Sequence, residues 1–159
     1  MPGGNEAVEY FGYGPHESYV DKHRSSWKSR FASTVDGMHE GYLRPQENGS
    51  HYETEWATVT NALGVGLLFV GMESFSFNAS HFTPEDLAAA GHPHELPKRK
   101  ETIVHLDAAQ SGLGSNSCGP ELLSRYQLKP SEIAFSVRLR PIVRSEADLR
   151  ELVRLEPEA

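Results

Sequence analysis

The sequence has almost no cysteine, no long apolar run and no cluster of basic residues. One cysteine, Cys118, stands among 159 residues. No internal disulfide can form, which suits a reducing cytoplasm. No apolar stretch approaches the ~20 residues that a membrane-spanning helix needs, so no membrane partner is expected. Met1-Pro2-Gly3-Gly4 has neither a basic n-region nor an apolar h-region, so a signal peptide is not expected. The formal charge is −7, and Lys and Arg are scattered. Nucleic acid is therefore not an expected partner. There is no internal repeat and no low-complexity tract. The length suits one domain with a real core.

What is present reads mainly as strands. Residues 8–13 suit a short strand turned by Gly14-Pro15. Residues 21–32 mix Lys, Arg and Ser with Trp27 and Phe31, and read as a polar surface connection with room for one short helix. Residues 34–39 suit a strand edge. Residues 53–61 alternate, with Trp56, Thr58 and Thr60 on one face and Glu55, Ala57 and Val59 on the other, which argues a strand. Residues 67–70 read as a buried strand, interrupted at Gly71 by a bulge or turn. Residues 74–79 alternate again, with Phe75 and Phe77 on one side. Thr83-Pro84-Glu85-Asp86 has the chemistry of a helix start: a capping hydroxyl, proline at the first helical position and acids facing the dipole. Gly91 stops that helix. Residues 102–107 alternate, and 125–128 suit a short strand. Residues 133–140 place Ile133, Phe135, Val137 and Leu139 inward. In residues 145–155 the apolar spacing turns helical, with Ser145 and Asp148 as a capping box. The expected fold is mainly β, an antiparallel sandwich or part of one with short helices. It divides into a sandwich domain over 1–144 and a terminal helix over 145–159.

Several groupings carry chemistry. A retaining glycosidase needs two carboxyl groups about 5–5.5 Å apart. Glu17, Glu47, Glu95 and Asp107 are available, but none sits in a motif for either role, so no catalytic residue is assigned. His92-Pro93-His94 offers two imidazoles, with His16 and His81 elsewhere. No acidic or cysteine partner completes a set in the sequence, so no metal is expected. Cys118 reads as a small, partly buried apolar residue rather than a nucleophile. Trp27, Trp56, Tyr42, Tyr52 and Phe75 would mark a sugar-binding face if exposed and coplanar, whereas strand spacing more often puts such residues in a core.

The densest stretch is Tyr42-Leu43-Arg44-Pro45-Gln46-Glu47-Asn48-Gly49. Pro45 pushes Arg44 toward an extended backbone, and Asn48-Gly49 is a strong turn pair. The corner suits either a surface ion pair or a buried Arg44–Glu47 pair in a sugar-handling protein. Together with Phe11-Gly12-Tyr13-Gly14-Pro15-His16-Glu17-Ser18-Tyr19, His94-Glu95-Leu96-Pro97 and Gly112-Leu113-Gly114-Ser115-Asn116-Ser117-Cys118-Gly119-Pro120, it resembles the C-terminal β-sandwich domain of the large β-galactosidases of glycoside hydrolase family 2. The four stretches come in the family's order with similar gaps, from residue 8 to about residue 142.

The resemblance implies a partial galactose-mutarotase-like supersandwich, about the last half of the family's domain. The catalytic barrel that carries both carboxylates in that family has no counterpart in the sequence. It implies a non-catalytic fragment of an enzyme that hydrolyses terminal β-D-galactosides such as lactose. Its partners would be the rest of the polypeptide or a large subunit, the galactoside, and further copies of the chain. No cofactor is implied for this chain; the Mg and Na ions common in the family would sit in the catalytic part. The loop 112–120 would reach the mouth of the barrel, with Asn116, Ser117 and Cys118 as substrate-binding candidates. The best-known member of the family stacks an aromatic residue on sugar there, and this chain has Cys118-Gly119 instead. A stand-alone carbohydrate-binding module and an inert interaction domain remain open alternatives.

Overall fold

A computed structural model describes residues 1–114, 119–129 and 131–155. The described residues form one open antiparallel sheet of six strands with two short helices, the mainly-β architecture that the alternating segments predict. The strands are β1 (Ala7–Gly14), β2 (Trp27–Thr34), β3 (His51–Thr60), β4 (Val65–Ser80), β5 (Ile103–Asp107) and β6 (Val137–Val143). Their order is β2-β1-β3-β4-β5, and β6 pairs with β4. β4 is long because it serves two partners on one side. Its first half, Val65 to Gly71, pairs with β6, and its second half, Ser76 to Ser80, pairs with β5. The register against β3 slips between the Thr54–Phe75 and Trp56–Val70 pairs. Residues 67–70 and 74–79 are therefore one strand with an irregular middle, not two.

The sheet is covered on both faces near its centre. Val8, Tyr10, Ala57, Val59, Phe69 and Phe77 form the larger core on one face. Leu68, Val70 and Ile142 pack with Leu149 on the other, with Trp56, Leu152 and Val153 around them. That is why residues 67–70 are apolar without alternation: successive side chains enter different cores. Each fully buried Leu, Val or Phe contributes roughly 1.5–3 kcal/mol. The helix α2 (Leu149–Arg154) closes the smaller core. Glu9 ties β1 to its neighbour β2 and to the chain after β6, accepting hydrogen bonds from Arg30 on β2 and, at 2.9 Å, from Arg144 beyond β6.

Several local expectations are corrected. Residues 27–34, read as a polar connection, are β2: eight register pairs with β1 override their polarity, and an edge strand needs no apolar outer face. Residues 36–38 form a 3-10 turn rather than a strand edge. Residues 124–126 are likewise a 3-10 turn rather than a strand. β6 begins only at Val137, and Ile133, Phe135 and Leu139 are 50%, 37% and 57% exposed rather than inward. The cap of α2 is Asp148, whose carboxylate accepts from the amides of Arg150 and Glu151; Ser145 lies outside the helix. In α1 (Pro84–Ala89) the expected start is present, with Thr83 and Asp86 capping each other reciprocally. No helix among the described residues is long and apolar enough to cross a membrane.

Candidate functional site

The 42–49 corner borders two adjoining clefts, with Tyr42 lining both and Gln46 one. Glu17 lies just past the end of β1, and its side chain is only 2% exposed. One oxygen accepts hydrogen bonds from Lys22 Nζ and from the Tyr42 hydroxyl. The other accepts from the Gly49 amide at 2.8 Å. Lys22 also donates to the Tyr42 hydroxyl at 2.9 Å, which closes a triangle. Burial works against the Lys22 charge, but its bonds to Glu17 and Tyr42 outweigh that and raise its pKa.

The Lys22–Tyr42 pair is the ridge between the clefts. A cleft of about 510 Å³ lies on one side, bounded by Asp21, Gln46, Gly114, Leu122 and Tyr126. A cleft of about 430 Å³ lies on the other, bounded by His16, Glu17, Ser25 and Glu40. Asp21 fixes the rim of the first. Its carboxylate accepts from the Leu113 amide at 3.1 Å and the Gly114 amide at 2.9 Å. Residue 112 must be glycine for this approach, since a Cβ there would stand 2.5 Å from the Asp21 Cγ. The same stem is tied to the chain beyond the loop, where the Gly112 amide donates to Tyr126 O at 2.8 Å. Asn116, Ser117 and Cys118 lie outside the described residues. The described stem of their loop opens onto the larger cleft.

The 42–49 corner is rigid, but not through the expected ion pair. Among the described residues Arg44 pairs with no carboxylate and is exposed. Pro45, between Arg44 and Glu47 in the sequence, is buried, and Glu47 is half-buried. Glu47 faces the Tyr19 hydroxyl instead, at 3.5 Å. Burial, then Asp107 and Glu17, raise the Glu47 pKa against the opposing Tyr19 bond. Burial raises Asp107 as well. Asn48 holds the corner: Oδ1 accepts from the Glu40 amide at 2.9 Å, Nδ2 donates to Gln46 O at 2.9 Å, and Asn78 Nδ2 donates to Asn48 O at 2.8 Å. Gly49 has φ +74°, and a Cβ there would stand 2.3 Å from Met38 O.

The other candidates separate. Phe75 is buried in the larger core and Trp56 packs against the smaller one, which removes both from a sugar-stacking face. Trp27 is 58% exposed on the sheet edge. Tyr52 stacks on Tyr13 at 6.1 Å beside His23. Two clusters gather metal-ligating groups: Glu6, Asp36 and His81, and His92, His94 and Glu95, each with its ligand atoms within 4.8 Å of one another. Glu95, which directly follows His94 in the sequence, is the acidic neighbour that the reading of the histidine pair passed over. Sequence reasoning missed Asp21 and Lys22, which fell in a stretch read as a surface connection. The only signal was Asp21's position two residues after the family-like Tyr19.

The comparisons with known proteins agree with the motifs. Residues 1–139 match the family described as Beta galactosidase small chain. A β-galactosidase of Actinobacillus pleuropneumoniae is 44% identical over 132 residues, which cover 82% of this chain and 12% of that protein. One from Staphylococcus xylosus is 38% identical over 140 residues, covering 88% of this chain and 14% of that protein. One from Arthrobacter sp. (strain B7) is 32% identical over 146 residues, with the same two coverages. The chain therefore spans only 12–14% of the length of these relatives. With a match over nearly its whole length, this chain belongs to the β-galactosidase small chain family.

Proposed function

We propose that the chain is a non-catalytic part of a β-galactosidase, which presents the 112–120 loop at the galactoside site of a catalytic body supplied by the rest of the enzyme. The observation that carries this reading is the Asp21 anchor, which holds the stem of that loop through two backbone amides above a cleft of about 510 Å³. A carboxylate that positions backbone amides is a scaffold device. In this reading Asn116, Ser117 and Cys118 contact the galactoside, lactose is a substrate of the whole enzyme, any Mg or Na belongs to the catalytic part, and the enzyme works in the cytoplasm.

Exposed apolar side chains support the need for a partner body. Val65, Leu139 and Val143 are 45%, 57% and 37% exposed. Val65 and Val143 are register partners, and Leu139 pairs with Phe69 of the larger core, so all three extend that core's face to the sheet edge. Such an edge is a template for further chain. The rest of the polypeptide covers it in the whole enzyme, and self-association covers it when the chain is alone.

Release of nitrophenol from an aryl β-galactoside tests the non-catalytic assignment. The chain alone is expected to give no turnover above a mock purification. Turnover abolished by Glu17→Gln or Glu47→Gln would overturn it.

A further inference from the structure

Residues 91–95 fold back on themselves. His92 is extended, at φ −142° and ψ 153°, and Pro93 starts a 3-10 turn that ends at Glu95. The Glu95 amide returns to donate to His92 O at 3.0 Å. The Glu95 carboxylate is held from behind, with Oε2 accepting from the Gly91 amide at 2.8 Å. That leaves Oε1 facing both imidazoles, at 3.1 Å from His92 Nδ1 and 4.0 Å from His94 Nε2. The two rings lie nearly parallel, 5.4 Å apart and inclined by 22°.

Adjacent donors around a cation with ligand bonds of ~2.0–2.2 Å stand roughly 3–3.6 Å apart. His92 Nδ1 and Glu95 Oε1 already stand at that spacing, and all three donor atoms lie within 4.8 Å of one another. Their side chains are 64%, 80% and 45% exposed, so small rotations meet little resistance. We infer that His92, His94 and Glu95 form a peripheral binding site for a zinc-class divalent cation, with water completing its coordination. Two imidazoles and one carboxylate select zinc and its late first-row neighbours over Mg and Ca, which prefer all-oxygen shells. The Gly91 amide plays the supporting part that orients a ligating carboxylate.

The other cluster is a poorer host. Lys98 Nζ already donates to both Asp36 oxygens, at 2.7 and 2.8 Å, so a cation occupies that position. No comparable lysine or arginine contact is made by Glu95 among the described residues. All three ligands lie within four consecutive residues, so the site forms in this chain whatever its role in a larger enzyme.

Zinc titration of the untagged full chain against a competing chromogenic chelator tests the site. One equivalent is expected to bind near neutral pH and to be released on mild acidification, because an imidazole must be neutral to ligate. His92→Ala and His94→Ala should each weaken binding by about tenfold or more, and Glu95→Gln by roughly tenfold. His105→Ala, on β5, should leave it unchanged, as should a large excess of Mg. All three site variants should keep the circular dichroism of the parent, since the side chains are exposed. Failure to bind one equivalent would show a histidine–carboxylate hydrogen bond only and overturn the site. Binding that survives both histidine substitutions would also overturn it, by placing the cation elsewhere.

Discussion

The Glu17 carboxylate and the Gly49 amide meet at 2.8 Å although 32 residues separate them. This contact joins the end of β1 to the corner that enters β3, and it does so in a place where a side chain on residue 49 would strike Met38 O. The other Glu17 oxygen holds Lys22 and Tyr42, so one buried carboxylate fixes the ridge between both clefts. Its removal leaves three donors without their acceptor.

Glu17→Ala should therefore cost about 2–4 kcal/mol in urea unfolding. Lys22→Ala should cost less, about 1 kcal/mol, because Lys22 is half exposed and Tyr42 and Gly49 still satisfy Glu17. The double variant should be less destabilised than the two losses added together. Equal unfolding midpoints for Glu17→Ala and the parent would remove Glu17 from the centre of the site.

Glu47→Gln tests the electrostatics of the corner, and the expected sign is the reverse of that for a buried Arg44–Glu47 pair. Burial, Asp107 and Glu17 raise the Glu47 pKa. A raised folded pKa means that the folded state favours the proton. Its contribution is complete below the unfolded pKa and is lost as pH rises through the folded one. The neutral amide should thus raise the melting temperature at neutral pH, by a few degrees at most because the carboxyl is partly screened. The gain should shrink in acid. A lowered melting temperature at neutral pH would restore the ion-pair view.

His51 carries a pH dependence of the opposite sense. It is buried, stacks on Tyr10 at 4.1 Å and bonds Tyr13 O through Nδ1 at 3.0 Å. Burial lowers its pKa from 6.5 to about 4. The unfolded chain takes up the proton first, so stability falls as pH drops from about 6.5 toward 4, by up to about 3 kcal/mol. His51→Gln should have a lower baseline from the lost ring packing and a flatter slope in that window. An unchanged slope would assign the acid loss to other groups.

Asp21→Ala separates positioning from stability. It frees the Leu113 and Gly114 amides, which have water within reach, so the melting temperature of the chain should move little. In an assembled enzyme, a misplaced loop should lower kcat/KM by about tenfold. Protease cleavage near residues 112–114 should also become faster. A normal kcat/KM with rapid cleavage would detach the loop from catalysis.

Local chemistry was legible in the sequence, and long-range pairing was not. The Thr83–Asp86 cap could be read because its partners sit three residues apart. The Ala57 and Val59 face could be read because a strand declares its faces by alternation. β2 hid behind its polarity, since an edge strand takes its structure from the backbone of β1. Asp21 hid because its two amide partners lie 92 and 93 residues away. The Arg44–Glu47 spacing suggested a partner, but Tyr19, 28 residues from Glu47, takes that place.

The most direct measurement is complementation. A relative such as the Staphylococcus xylosus β-galactosidase would be made without the segment that this chain matches, and the chain would be added back in increasing amounts. The account predicts that neither component alone hydrolyses an aryl β-galactoside. Activity should appear on mixing, saturate with the chain, and fall with Asp21→Ala. Hydrolysis by the chain alone, or full activity of the truncated relative without it, would contradict the account.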